Sequence, residues 1–220
     1  MPAIGRQESS FEPAPSGLHP AVCCALIDQG TQERTYGNDT KIGHYYTIMW
    51  ELLIDEKQPG GEAFTARKDW LNSASDKSNM QKDLAAWRGR KLTKEETEAE
   101  FNLNTLVGAK CMLNITQAPS ADGTRIYANI ASISPLMKGL TLPKATLPAK
   151  LFIMDDTEPE NFREDVLDSL HEKLRALVKS SPEYECIKSG KKLATLKAKK
   201  AKTAAPAAKV TEELNDEIPF

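Results

Sequence analysis

Between Ile42 and Ile54 the residues GHYYTIMWELLI alternate, so that His44, Tyr46, Ile48, Trp50 and Leu52 fall on one side and Tyr45 and Thr47 on the other. Successive side chains of a strand point to opposite faces, and aromatics at both 45 and 46 therefore cannot enter one core. The even-numbered set is the more apolar and is expected to be buried, which leaves Tyr45 and Thr47 for the outer face. A chain organised around such a strand is expected to be mainly β.

The flanking segments read as its partners. LHPAVCCALIDQGTQE, from Leu18 to Glu33, suggests a long strand with a bulge or bend at Gly30. DEKQPGGE is a hairpin signal, and a third strand follows from about Ala63 to Asn72. The period then changes: Met80, Leu84 and Trp87 recur at helical spacing, with Ser75 or Asp76 as cap and Gly89 near the end. A second capped helix is expected from Thr93 to about Phe101. Strand character resumes after Gly108, ADG at 121–123 marks a turn, and RIYANIASIS is a fifth strand ending at Pro135.

Five strands with a helical insertion between the third and fourth is the order of the OB-fold, a partly open Greek-key barrel that often binds oligonucleotides. SH3-like barrels share much of the same pattern. The expected organisation is a flexible arm over 1–17, an OB-fold barrel over 18–136, a linker plus amphipathic helix over 137–187, and a disordered Lys/Ala tether with an acidic tip over 188–220. The linker holds Pro143, Pro148 and the short apolar LFIM. The helix is expected over Asn161–Lys179, because Phe162, Val166, Leu170, Leu174 and Leu177 recur at its period and Pro182 stops the run. Packing against the barrel is the expected use of that stripe; a homodimer contact is the alternative.

Charge is divided along the same lines. The 220 residues carry a net charge of -2, yet residues 188–209 hold eight lysines and no acid, and the last ten residues hold four acids and no base. Blocks of like charge repel and resist folding, and usually mark interaction tails. No run approaches the ~18 apolar residues of a membrane span, and the N-terminus lacks the apolar stretch of a secretory signal. A cytoplasmic chain with no membrane partner is the expectation.

Catalytic and metal chemistry find little support. There is no phosphate-binding Gly-rich loop, no nucleophile elbow and no nucleophile paired with a histidine. Cys23, Cys24, Cys111 and Cys186 are spaced for neither a disulfide framework nor zinc and read as reduced thiols. Asp155 and Asp156 read as a charge complement to the helix that follows them. No enzyme, cofactor or metal is expected.

A binding surface finds more. Tyr45, Trp70 and Tyr127 are interleaved with Lys41, Arg67, Lys68 and Arg125, and between Arg67 and Lys91 seven bases, including Lys77, Arg88 and Arg90, face three acids. Rings that stack on any base, beside cations that follow phosphates, are what sequence-tolerant single-strand binding requires. These ten residues are the expected contacts, with Trp50 assigned to the core.

The C-terminal segment EELNDEIPF resembles the acidic tip of bacterial single-stranded DNA-binding proteins, which end in clustered aspartates followed by Ile-Pro-Phe; Asp216, Glu217, Ile218, Pro219 and Phe220 match residue by residue. PAVCCALIDQGTQ, KSNMQKDLAAWRGR and SSPEY are similar to small phage-encoded single-strand binders. The resemblance implies a protein of the bacterial or phage-infected cytoplasm that binds single-stranded DNA. It also implies that residues 216–220 recruit replication, recombination and repair proteins. The chain departs from the bacterial pattern in its Lys/Ala-rich tether and its long insertions, so tetramerisation is not carried over. Two other readings compete: a duplex-binding, histone-like architectural protein using the lysine tail, and an adaptor whose barrel binds protein only.

Overall fold

The computed structural model describes residues 12–193 apart from 37–38, 74, 76, 99–100, 121 and 156–158. It is mainly β, with six strands in one sheet and a few short helices. β1 (Gly17–Tyr36) and β2 (Asp39–Leu52) form an antiparallel hairpin, and β2 pairs in turn with β3 (Thr65–Leu71). Residues Gly17 to Val22 of β1 pair with β4 (Lys110–Pro119), which pairs with β5 (Ile126–Pro135). Beyond Val22 a sixth strand, β6 (Lys150–Phe152), runs parallel to β1 at Ala25, Leu26 and Ile27. The path is β3-β2-β1-β4-β5, with β6 attached to β1.

The five strands read from the sequence are all present, and β6 is additional. The apolar LFIM, read as part of a linker, supplies it. Three residues are too few to carry a strand period, and only the edge of β1 that β4 vacates makes them a strand.

Gly30 bends β1 as expected. The register against β2 shifts between Asp28 and Gly30, the Gly30 φ is +68°, and the Asp28 carboxylate accepts the Gly30 N–H at 2.7 Å. A Cβ at this position would meet Ser181 at 2.6 Å, so the position is closed to side chains on two counts.

α1 (Asn79–Arg88) buries Met80, Leu84 and Trp87, the three residues its spacing picks out. Its cap is Ser78, whose hydroxyl accepts the Gln81 N–H at 3.2 Å, and not Ser75 or Asp76. Gly89 forms the C-cap. α2 (Lys94–Glu98) starts on a reciprocal capping box: the Thr93 hydroxyl accepts the Glu96 N–H, and the Glu96 carboxylate accepts the Thr93 N–H. The Trp50 ring stands 6.3 Å from Trp70 and 5.5 Å from Trp87, which joins β2, β3 and α1 in one core with Leu26, Ile48 and Leu113.

The single helix expected over Asn161–Lys179 is instead two, α3 (Glu164–Asp168) and α4 (Glu172–Lys179), and a further helix, α5 (Pro182–Lys188), follows. Local side-chain bonds compete with the helix ladder at the break. The Ser169 hydroxyl donates to Val166 O at 2.7 Å, and the His171 ring accepts the Lys173 N–H at 3.3 Å, restarting the helix. Pro182 does not stop a helix but begins one. At the first helical position its missing N–H costs nothing, and Ser181 supplies the cap to the Tyr184 N–H. Val178, not Leu177, completes the buried stripe, which packs with Ile27, Phe152 and Met154 in a second core on β1.

That second core alters the reading of β2. Thr47 and Tyr45 are buried along with Ile48 and Trp50: the Arg34 guanidinium lies over the Tyr45 ring, Gln29 and Asp69 close over Thr47, and farther along the same face elements after β6 cover Met49. The chain is also held from Glu12 onward: Gln58 exchanges two hydrogen bonds with the Glu12 backbone, and Gln117 donates to Ala14 O at 2.9 Å. All four cysteines are free and buried; burial pushes the Cys24 thiol up to about 11 and Cys23 up to about 12. Among the described residues no helix is long and apolar enough to cross a membrane.

Candidate nucleic-acid interface

Strand register sorts the expected contact residues by face. Lys41, Tyr45 and Arg67 lie on the outer face of β2 and β3, paired with Arg34, Leu71 and Met49 respectively. Lys68 and Trp70 face the other way, opposite Ile48 and Tyr46. Trp70 is 0% exposed, and its indole N–H donates to Asp83 of α1. It is a core residue and not a stacking platform, because α1 closes over the inner face of β3. Tyr45 is also corrected: it is 4% exposed, with the Arg34 guanidinium 3.9 Å above its ring centroid.

The cationic run from Arg67 to Lys91 is largely neutralised where it stands. Lys68 pairs with Asp83 at 2.7 Å, and Arg67 lies 4.0 Å from Asp69. Arg88 and Arg90 converge on Glu96, which receives both Arg90 N–H groups at 2.7 and 2.8 Å. The Arg90 and Arg88 guanidiniums hold the Glu96 carboxyl well below the usual carboxylate range. Lys77, Lys82 and Lys91 are exposed and make no ion pair among the described residues. Arg67 also lines a cavity of about 180 Å³ with Met49, Leu147, Leu170, Leu174 and Lys150. Its register partner Met49 stands eight residues from Lys41, roughly 26 Å along the strand, so the strand register sets Arg67 and Lys41 far apart on this face.

The β4–β5 hairpin keeps its contacts in the open. Tyr127 is 51% exposed, with Ile126 and Arg125 exposed beside it. The turn is fixed by the Ser120 hydroxyl, which accepts the Arg125 N–H at 3.0 Å, and by the Asp122 carboxylate, which accepts the Thr124 N–H at 3.1 Å. A ring and a cation are thereby presented on a defined turn.

Sequence reading missed Arg34. It lies directly across from Lys41, and its terminal amino group donates to Gln29 at 2.7 Å and Asp69 at 2.9 Å. Thr47 donates to the same Asp69 carboxylate at 2.8 Å and receives a short hydrogen bond from Gln29. The antiparallel register of β1 on β2, and no feature local to Arg34, brings it opposite Lys41. The tip residues Asp216, Glu217, Ile218, Pro219 and Phe220 lie outside the described residues, as do the lysines from 197 onward. Among the described residues no cluster of three or more His, Cys, Asp or Glu is arranged for a metal ion. No family model matches the chain, and no curated protein matches it.

Proposed function

We propose that the chain is a non-sequence-specific single-stranded DNA-binding protein. In this reading it coats and protects unwound DNA in replication, recombination and repair, and recruits partner proteins through residues 216–220. The observation that carries the reading is the strand path β3-β2-β1-β4-β5 with α1 inserted between β3 and β4 and its Leu84 and Trp87 plugging the core. That strand order, with a helix between the third and fourth strands, is the order of an OB-type barrel, and such barrels bind oligonucleotides along their strands and hairpin loops.

The two hairpins supply the chemistry. Arg125 and Tyr127 on one, and Lys41 on the other, offer cations to phosphates and a ring to bases. Stacking accepts every base and contributes about 1–3 kcal/mol for each one stacked, while the cations release counterions from the strand. Anisotropy titration of the full chain with labelled dT, dA and dC oligomers at several salt concentrations tests this. Comparable affinities that fall steeply with salt are expected; salt-independent binding, or binding to one homopolymer alone, would overturn it.

A further inference from the structure

Arg34 is held as a flat plate. Its guanidinium rests on the Tyr45 ring at 3.9 Å, and one terminal amino group spends both hydrogens on Gln29 and Asp69. A guanidinium has five N–H donors, so three remain, and among the described residues none of them is hydrogen-bonded. The side chain is 23% exposed. Its orientation is fixed by a ring on one face and by two acceptors at one edge, so a ligand need not order it.

The surroundings extend the plate into a surface. Lys41 is its direct cross-strand neighbour on the same face. Leu71, partly exposed, lies over Gly43; a Cβ on Gly43 would fall 2.3 Å from a Leu71 methyl and would push that side chain aside. Asp69 already balances the Arg34 charge, whereas Lys41 makes no ion pair among the described residues and is the cation here for an anion. The flat, weakly hydrated guanidinium is better used as a stacking partner.

We propose that this outer face of the β1–β2 hairpin is a nucleotide subsite, in which a base of the single strand stacks on the Arg34 guanidinium while Lys41 takes the adjacent phosphate. The subsite rests on the single-strand reading given above. Guanidinium planes stack on unpaired bases in the same manner as aromatic side chains.

The test uses the full chain, a labelled dT oligomer and an oligomer of equal length with abasic sugars, which keeps the phosphates and removes the bases. Arg34→Ala and Arg34→Lys should each weaken dT binding about tenfold, equivalent to about 1.4 kcal/mol. Abasic binding should fall by less than about threefold, because the phosphate contacts persist. Lys41→Ala should weaken both oligomers equally. Arg34→Lys keeps a cation for Asp69, so a melting temperature close to that of the unaltered chain separates loss of stacking from loss of fold. Wild-type dT affinity in the folded Arg34→Lys chain, or equal loss on both oligomers, would overturn the subsite and leave the single-strand reading intact. If the unaltered chain bound neither oligomer, the single-strand reading itself would fail before any variant was compared.

Discussion

The indole N–H of Trp70 donates to the carboxylate of Asp83 at 2.8 Å, tying β3 to α1 across the core, and the Lys68 amine reaches the same oxygen at 2.7 Å. One carboxylate therefore satisfies a buried indole and neutralises a cation that would otherwise point toward the core. An unpaired indole N–H in this position would carry a desolvation cost, which is why a buried Trp usually comes with such an acceptor.

Trp70→Ala should destabilise the fold by about 3–5 kcal/mol, as expected for removing a large buried aromatic. Urea denaturation followed by circular dichroism reads this directly. An unchanged midpoint together with lost DNA affinity would return Trp70 to the binding surface.

Tyr127→Ala is the contrasting case. Its ring is half exposed on β5, so stability should change by no more than about 0.5 kcal/mol. Affinity for a dT oligomer should fall by about 1–3 kcal/mol if a base stacks there. Paired measurement of melting and anisotropy separates the two quantities, and full affinity in the folded variant would remove Tyr127 from the interface.

Glu96 restrains two arginines, so Glu96→Gln should release Arg88 and Arg90 to phosphates. Affinity should rise at low salt, and the dependence of log K on log salt should steepen by about 0.7 for each phosphate newly neutralised on a single strand. A slope identical to that of the unaltered chain would mean that the strand does not pass this corner.

Much of this was legible in the sequence, and the failures share one cause. The Gly30 bulge and the Met80, Leu84, Trp87 stripe follow from glycine geometry and local period and are realised, and on the even-numbered side of β2 Ile48, Trp50 and Leu52 are buried while His44 and Tyr46 are only half-buried. Tyr45 was assigned to the outer face correctly but is not exposed, since alternation tells which side a residue takes and nothing about what later covers that side. Over Tyr45 that cover is Arg34, and over Ile27 and Met49 it is the α3–α5 segment, whose break at Ser169 and restart at Pro182 depend on single capping bonds and not on periodicity. Arg88 and Arg90 looked like free cations because Glu96 reaches them only through the turn before α2.

Two carboxylates, buried Glu51 and half-buried Glu183, hold the later segments in place and give the fold a sensitivity to acid. Burial raises the Glu51 carboxyl, but the Leu147 and Thr146 N–H groups and the Thr146 hydroxyl outweigh it, and the net shift is downward from 4.5. Glu183 behaves alike: burial raises it, the Thr31 hydroxyl and N–H lower it further, and His44 stands 3.9 Å away. A depressed folded pKa contributes stability above the unfolded value that is lost as pH falls through the folded one. Hydrogen exchange at the Thr31, Thr146 and Leu147 amides should therefore accelerate, relative to the core of β2, as pH drops below 4.5. Glu51→Gln and Glu183→Gln should each flatten that dependence locally. Exchange ratios independent of pH in the unaltered chain would contradict it.

The central claim is that the surface of this sheet holds single-stranded DNA. Competition of a labelled dT oligomer by an unlabelled single strand and by a duplex of equal length, at one moderate salt concentration, tests it most directly. The account predicts displacement by the single strand at concentrations at least about tenfold below those needed of the duplex, because stacking on Tyr127 requires unpaired bases. Equal displacement by both would mean that the lysine-rich segment binds phosphates without regard to strandedness, and absence of any binding would leave the sheet as a surface for protein alone.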